Sequence, residues 1–307
     1  MKWLACVLAL GACVDITDHG GPWQDATAIT GPLAPELGPA PPARPAPGCT
    51  IRIATWNLHF AEDPADLAAR IADSDLASAD VLLVQEIRAY PDEPGSRASR
   101  LASALGMTWV YAPARVIGDG THGVAILSRY PLEAPRVRDL PYYDQIHDEQ
   151  RIALEADVVL GSERLRVVDV HLDTRMAPAD RIAQLAPAVD GAGDRLIVGG
   201  DFNTLPWAWV DSAVPVTSTE AITGQQQAAV VDDFMLGLQF ARALTPDSPT
   251  FPVPVFSMRL DNLYARGPAI RAAAVAPVDG SDHRPVWFDI DRCERRSGAP
   301  SVRSWFR

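Results

Sequence analysis

From Cys49 onward, short apolar runs of strand type alternate with Ala-rich stretches whose apolar residues recur at helical spacing. Ile51–Trp56 is strand-like, and Asp63-Pro64 then offers an N-cap with proline at the first helical position, placing Leu67 and Ile71 on one helical face. Val81–Val84 is apolar throughout, as in a central strand covered on both faces. A second helix is predicted over Ser96–Leu105, stopped by Gly106. Strand candidates follow at Thr108–Tyr111, Val124–Ser128, Leu132–Asp139 and Arg151–Leu160, and Gly161-Ser162 turns the chain into Arg164–Val170. Ile182, Leu185 and Val189 mark a helix at Pro178–Val189, and Leu196–Gly199 reads as another buried strand. Residues 205–258 are less regular, with an amphipathic helix at Val230–Leu238. Strands return at Arg259–Ala265, Ala272–Ala276 and Pro285–Ile290. Mixed strands covered by helices, with no internal repeat and no linker inside residues 49–293, predict one layered α/β sandwich domain.

The segment before Cys49 has no such periodicity. One positive residue, Lys2, precedes a short apolar run that ends in small residues, as in an export signal spanning residues 1–13. The run is too short to span a bilayer as a permanent helix. Its ending, Leu10-Gly11-Ala12-Cys13, resembles the lipobox of bacterial lipoproteins, which implies lipidation at Cys13 and anchoring in the bacterial cell envelope; the plain alternative is a secretory signal and a secreted protein. Residues 14–48 are Pro- and Ala-rich with few large apolar residues and read as a disordered spacer, or as a ligand for a proline-recognising partner. Residues 294–307 form a C-terminal tail.

Composition narrows the chemistry. The 307 residues carry a formal net charge of -12, and without a Lys/Arg run this weighs against a broad polyanion-binding surface. A phosphate substrate stays possible, because a bound cation inverts the field of a carboxylate cluster. The four cysteines form no CxxC pair, which argues against a zinc knuckle or a dithiol redox site. Zinc hydrolase motifs of the HxxEH or HExxH type are also lacking.

Polar residues collect at strand ends. Asn57 follows IRIATW, Glu86 follows VLLVQ, His171 follows RVVDV, and Asp201 with Asn203 follows LIVGG; Asp261 opens LDNLYA and Asp282-His283 precedes RPVWFDI. Strand ends hold side chains firmly yet reach a rim, where α/β proteins place their sites. Gathered carboxylates raise one another's pKa unless a cation compensates, and oxygen ligands of this kind suit Mg²⁺, Mn²⁺ or Ca²⁺.

Thr55-Trp56-Asn57, Val84-Gln85-Glu86, Gly123–Pro131 (GVAILSRYP), Val170–Asp173 (VHLD), Gly199–Asn203 (GGDFN) and Ser281–Val286 (SDHRPV), in this order, resemble the endonuclease/exonuclease/phosphatase superfamily across nearly all of residues 50–290. The resemblance implies a four-layer αββα sandwich with two packed mixed β-sheets and a divalent-metal-dependent phosphodiester hydrolase. It implies Glu86 as principal metal ligand with Asn57 beside it and Asp282 assisting. Asp201 and Asn203 would orient the water nucleophile, Asp261 would hold His283 as general base, and His171 would bind the scissile phosphate and protonate the leaving oxygen. Close first and last core strands in this family imply a Cys49–Cys293 disulfide in an exported version. The implied substrates are nucleic acid, or a phospholipid or phosphoinositide head group, handled by a monomer.

Softer candidates keep two readings. Arg151 either touches a substrate phosphate or is a solvated strand-edge residue; His122 is either structural or on the substrate side. Asp173 is expected to support the His171 loop, while His59 and His147 default to the surface. Trp207 and Trp209 either stack a base, touch a lipid surface or fill a loop core. Against the enzyme stands a catalytically silent surface binding protein that keeps the fold, whose signature would be loss of Glu86, Asp201 or His283; none is lost.

Overall fold

A computed structural model describes residues 34–45, 47–141, 150–174, 178–190, 193–205, 208–210, 214–216, 226–252 and 257–293. The strands are β1 (Glu36–Leu37), β2 (Thr50–Phe60), β3 (Val81–Ala89), β4 (Thr108–Ile117), β5 (Gly120–Ser128), β6 (Leu132–Leu140), β7 (Arg151–Leu160), β8 (Glu163–His171), β9 (Leu196–Asp201), β10 (Ala208–Val210), β11 (Val214–Val216), β12 (Ala241–Arg242), β13 (Phe251–Pro252), β14 (Ser257–Met258), β15 (Asp261–Arg266), β16 (Ala269–Val275) and β17 (Val286–Asp291). The helices are α1 (Pro64–Ala72), α2 (Arg97–Leu105), α3 (Pro178–Val189) and α4 (Gln226–Gly237).

Two mixed sheets face each other. The first runs β1-β4-β5-β3-β2-β17-β16 and the second β12-β15-β9-β8-β7-β6. Successive side chains point to opposite faces of a strand, and the two central strands show it. Ile51, Ile53, Val81 and Leu83 enter the core between the sheets, while Ala54, Trp56, Leu58, Leu82 and Val84 pack outward with α1 and α2. In the second sheet Leu165, Val167 and Ile197 face inward; Val168, Val170, Leu196 and Val198 pack with Leu185 and Val189 of α3 and Val231 and Met235 of α4. Helix, sheet, sheet and helix thus stack in the four layers that the resemblance implied.

The helix ends follow the sequence signals. Asp63 caps α1 by accepting the Ala65 and Asp66 N–H groups, and Gly106 closes α2 in the left-handed region at φ 66°. Helix α4 begins earlier than expected; Ala228, Val231 and Met235 are buried, whereas Val230, Leu236 and Leu238 stay exposed. The expected strand from Arg259 begins at Asp261.

Two findings bear on the chain ends. Glu36 and Leu37, expected within the disordered spacer, pair with Tyr111 and Val110 at the edge of the first sheet. An edge strand offers unpaired backbone groups that even a Pro-rich chain can satisfy over two residues. Cys49 and Cys293 are disulfide-bonded across 244 residues; chain entropy alone makes so long a closure worth about 5 kcal/mol at most. No helix among the described residues is long and apolar enough to cross a membrane. The export signal with Cys13, and the tail beyond Cys293, lie outside the described residues.

Candidate active site

Along several strands the inward face changes from apolar to polar. On β2 it runs Ile51, Ile53, Thr55, Asn57; on β8 Leu165, Val167, Asp169, His171; on β15, from the other end, Ala265, Leu263, Asp261. The polar ends meet at one rim. Register pairs His171 with Asp201 across β8 and β9, and Asp201 with Asp261 across β9 and β15. Three adjacent strands therefore present an imidazole and two carboxylates in one row.

The first sheet delivers its share through an irregularity. Pairing of β3 with β2 and β5 shifts around Gln85–Ile87, and Glu86 sits there at φ 55°. A non-glycine residue in this conformation costs on the order of 1–3 kcal/mol, and a bulge re-aims its side chain. The Glu86 carboxylate accepts from Asn57 Nδ2 at 3.0 Å, and the same amide donates to Asp201 Oδ2 at 3.0 Å, joining the sheets. His171 Nε2 lies 3.6 Å from Asp201 Oδ2 and 3.9 Å from Glu86 Oε1. Asp201 Oδ1 accepts the Asn203 backbone N–H at 2.8 Å, and Asn203, at φ 46°, donates its amide to the Leu172 carbonyl at 2.8 Å. Gly200 is required: a Cβ there would lie 1.9 Å from the Val170 carbonyl oxygen.

His283 arrives on a pinned loop. Its Nδ1 is 2.8 Å from Asp261 Oδ2 and its Nε2 is 3.7 Å from Asp201 Oδ2. Trp56 donates its indole N–H to the His283 carbonyl at 3.0 Å, and Ser281 Oγ donates to the Asn57 carbonyl while accepting the His283 N–H. Thr250 Oγ1 accepts the Leu260 and Asp261 N–H groups, and the Phe251 ring packs edge-on against His283 at 4.9 Å.

Burial pushes the Asp201 carboxyl up to about 7, with Asp261 adding to the rise and His283, Asn57 and Asn203 opposing it. Burial alone would lower His283, but Asp261 and Asp201 outweigh it and hold the ring at about 10. His171 goes the other way, driven well below its ordinary value by burial, then by Arg151, His122 and His283. It is neutral at pH 7. His122 falls to about 3 through burial and the charges of Arg115, Arg151 and Arg88.

Two corners of the cluster differ in what they ask for. Asp201, Asp261 and His283 form a group whose ligand atoms lie within 4.8 Å of one another. The Asp261–His283 contact is a hydrogen bond, and the proton there already supplies positive charge. On the other side, Glu86 and Asp201 share only the Asn57 amide, and no Lys or Arg is bonded to Asp201 among the described residues. This oxygen-rich corner fits a hard divalent cation; Asn57 Oδ1 accepts the His59 N–H at 3.1 Å, which turns the amide nitrogen toward the two carboxylates.

Most expected site residues converge: Asn57, Glu86, His171, Asp201, Asn203, Asp261 and His283. Asp282 lies at the rim, 44% exposed, with its carboxylate 3.3 Å from His59 Nδ1. Arg151 is buried, which corrects the solvated-edge reading; with His122 and Gln150 it lines a small cleft that ends on His171. Asp173 supports its loop through the backbone, its N–H donating to Gln184 and its carbonyl accepting from Arg181. Trp207, the Trp209 side chain and His147 lie outside the described residues.

Sequence reasoning missed the residues that hold the site. Arg181, fully buried in α3, donates to the Asp173 and Phe202 carbonyls and so ties the loop after His171 to the loop after Asp201. Its signal was present, because Arg181 stands four residues before Leu185 on the apolar face. Thr250 and Phe251 carried no comparable pattern, and Ser281, although it opens the SDHRPV motif, was given no role.

The family model described as "Endonuclease/Exonuclease/phosphatase family" matches residues 54–283. "Uncharacterized protein YbhP" of Escherichia coli strain K12 is 28% identical over 235 residues, 69% of this chain and 83% of that one. Among solved structures, the mannosyl-6-phosphatase of Bacteroides thetaiotaomicron VPI-5482 superposes with a TM-score of 0.58 at 15% identity, over 78% of this chain and 99% of that one. Zebrafish (D. rerio) TDP2, complexed with a single-strand DNA product, gives 0.54 at 16% identity over 80% and 100%. At such identities the structural likeness speaks for the fold.

Proposed function

The chain belongs to the endonuclease/exonuclease/phosphatase family and is a metal-dependent phosphoester hydrolase, and from that premise we propose that it cleaves phosphodiesters at the cell envelope. Its substrate is a nucleic-acid strand or a phospholipid or phosphoinositide head group. The observation that carries the reading is the Glu86–Asn57–Asp201 junction, where two sheets bring carboxylates together and, among the described residues, bond no Lys or Arg to Asp201, leaving the His283 ring at 3.7 Å as its nearest positive charge.

Glu86 and Asp201 would hold Mg²⁺, Mn²⁺ or Ca²⁺, with Asn57 between them and Asp282 at the rim as a further oxygen donor. A bound divalent cation neutralises phosphate charge and offsets the carboxylates that keep His283 protonated. Asp201 and Asn203 orient the attacking water. His283, braced by Asp261, accepts its proton. His171, neutral, donates an N–H to a phosphate oxygen, while delivery of a proton to the leaving oxygen is disfavoured by its burial and then by the field of Arg151. Buried Arg151 and His122 line the approach to His171 on the substrate side.

The export signal, the lipidation of Cys13 and a monomeric state belong to the same proposal. Export and anchoring are supported by the N-terminal pattern and by the Cys49–Cys293 disulfide, a bond at home in oxidising compartments. The test is a panel of duplex DNA, RNA, sphingomyelin, phosphoinositides and bis(p-nitrophenyl) phosphate, each with and without divalent cation, on the purified chain and on Asp201→Asn. Turnover of at least one substrate that needs the cation and is largely lost in the variant is expected. Turnover surviving both chelation and the substitution contradicts the mechanism, and silence on every substrate favours a binding protein.

A further inference from the structure

One layer beneath the site, the inward face of each sheet carries a polar residue that the proposed chemistry does not use. Gln85 precedes Glu86 on β3, Asp169 lies two residues before His171 on β8, and both are fully buried. Gln85 Nε2 spends its two hydrogens on Thr55 Oγ1 at 3.0 Å and on Asp169 Oδ1 at 2.6 Å. Two oxygens are then left without any partner: Gln85 Oε1 and Asp169 Oδ2. Both belong to this single pair, and both can only accept unless one carries a proton. A buried acceptor without a donor is destabilising, and a buried ionised carboxylate without a counter-charge is more so.

We propose that Asp169 is carried as the neutral acid and closes a two-bond pair with Gln85, its Oδ2–H donating to Gln85 Oε1, which clamps the two sheets directly beneath Glu86 and His171 and makes Asp169 and Gln85 positioning residues of the site. One proton satisfies both orphaned oxygens. The surroundings agree. Asp169 faces Leu154 of β7 and Gly199 of β9 in its own sheet and Gln85 of the facing one, and no ionisable side chain among the described residues acts on it. Burial drives its carboxyl well above the ordinary range; Gln85 and the N–H groups of Val84 and Val170 pull the other way without prevailing. The positional role rests on the hydrolase reading, whereas the protonation does not.

Asp169→Asn is the decisive variant, because an asparagine amide supplies the same two bonds with no proton to lose. An acid that is neutral when folded and ionised when unfolded makes the wild type lose stability as pH rises from about 4, with the unfolding constant growing about tenfold per pH unit relative to the variant. Chemical denaturation of both full-length proteins from pH 4 to pH 8 is therefore expected to show a stability gap that widens in favour of Asp169→Asn. A gap independent of pH overturns the proposal; it would mean an ionised carboxylate whose orphaned oxygen meets a buried water. Carbon-13 NMR of aspartate-labelled wild-type protein gives a second measure, free of any variant: one side-chain carboxyl should hold its neutral-acid shift at pH 8 with divalent cation present. Its absence overturns the proposal equally. On the substrate found in the panel, Asp169→Asn should keep kcat within about threefold and Asp169→Ala should lose more than about tenfold. A folded Asp169→Asn protein that has lost its activity contradicts the positioning role, and the denaturation and NMR results stand even if no substrate is found.

Discussion

Asp232 and Asp201 are buried alike, 0% and 1% exposed, and the protein surrounds them with opposite chemistry. Asp232, on α4, accepts from two guanidinium nitrogens of Arg259, from Arg242 and from the Tyr264 hydroxyl, at 2.7 to 3.0 Å. Its charge is met inside the fold. Among the described residues Asp201 receives only the N–H groups of the Asn57 amide and the Asn203 backbone, with two imidazoles at 3.6 and 3.7 Å. A buried ion pair completed internally serves the fold, whereas a buried carboxylate left short of positive charge serves a ligand that brings it. The same backbone thus holds one carboxylate for stability and one for chemistry, and the difference lies in the missing arginine.

Three perturbations set these regions against each other. The largest effect is expected on the chemistry. His283→Ala should lower kcat by about 10²- to 10⁴-fold, the usual contribution of a general base, with the thermal transition close to wild type; a loss under about tenfold would remove His283 from the proton path. Next comes the internal pair. Asp232→Asn leaves Arg259 buried and uncompensated, so denaturation should show a cost of about 3–5 kcal/mol, while kcat per folded molecule stays near wild type. If Asp232→Asn instead abolished turnover without destabilising the fold, the division between the two regions would fail. The smallest effect, a shift of a few kcal/mol with cation and pH, is the most diagnostic and is taken last.

What could be read from the chain followed locality. The caps at Asp63 and Gly106, the strands and the run of polar residues at strand ends are written in neighbouring positions, and most of the site followed from them. The motif order then implied two packed sheets, which no local pattern contains, while the strand pairing within them was not read. What stayed hidden depends on partners distant in sequence. Arg259 looked like the first residue of a strand, and only Asp232, 27 positions away, makes it the core of an ion pair. Arg151 kept two readings, a phosphate contact or a solvated edge, and its burial beside His171 comes from the packing of β7 under β5. The left-handed Glu86 at φ 55° carries no sequence mark, since glycine would be the natural occupant. Glu36 and Leu37 found an edge strand that the Pro-rich composition did not announce.

The most direct test compares the unfolding of wild type and Asp201→Asn at pH 8, first in chelator and then in saturating Mg²⁺. Burial raises the Asp201 carboxyl to about 7 in the fold, so the stability it lends at low pH is lost as pH rises through about 7. At pH 8 without cation the wild type must hold a buried charge that the His283 ring offsets only in part and that asparagine avoids, and it should be the less stable protein by on the order of 2–4 kcal/mol. Cation at a hundredfold excess over its dissociation constant should return about 2.7 kcal/mol to the wild type and little to the variant, so that the gap closes or reverses. A wild type already more stable in chelator, with both proteins gaining equally from Mg²⁺, would contradict a cation site at Asp201.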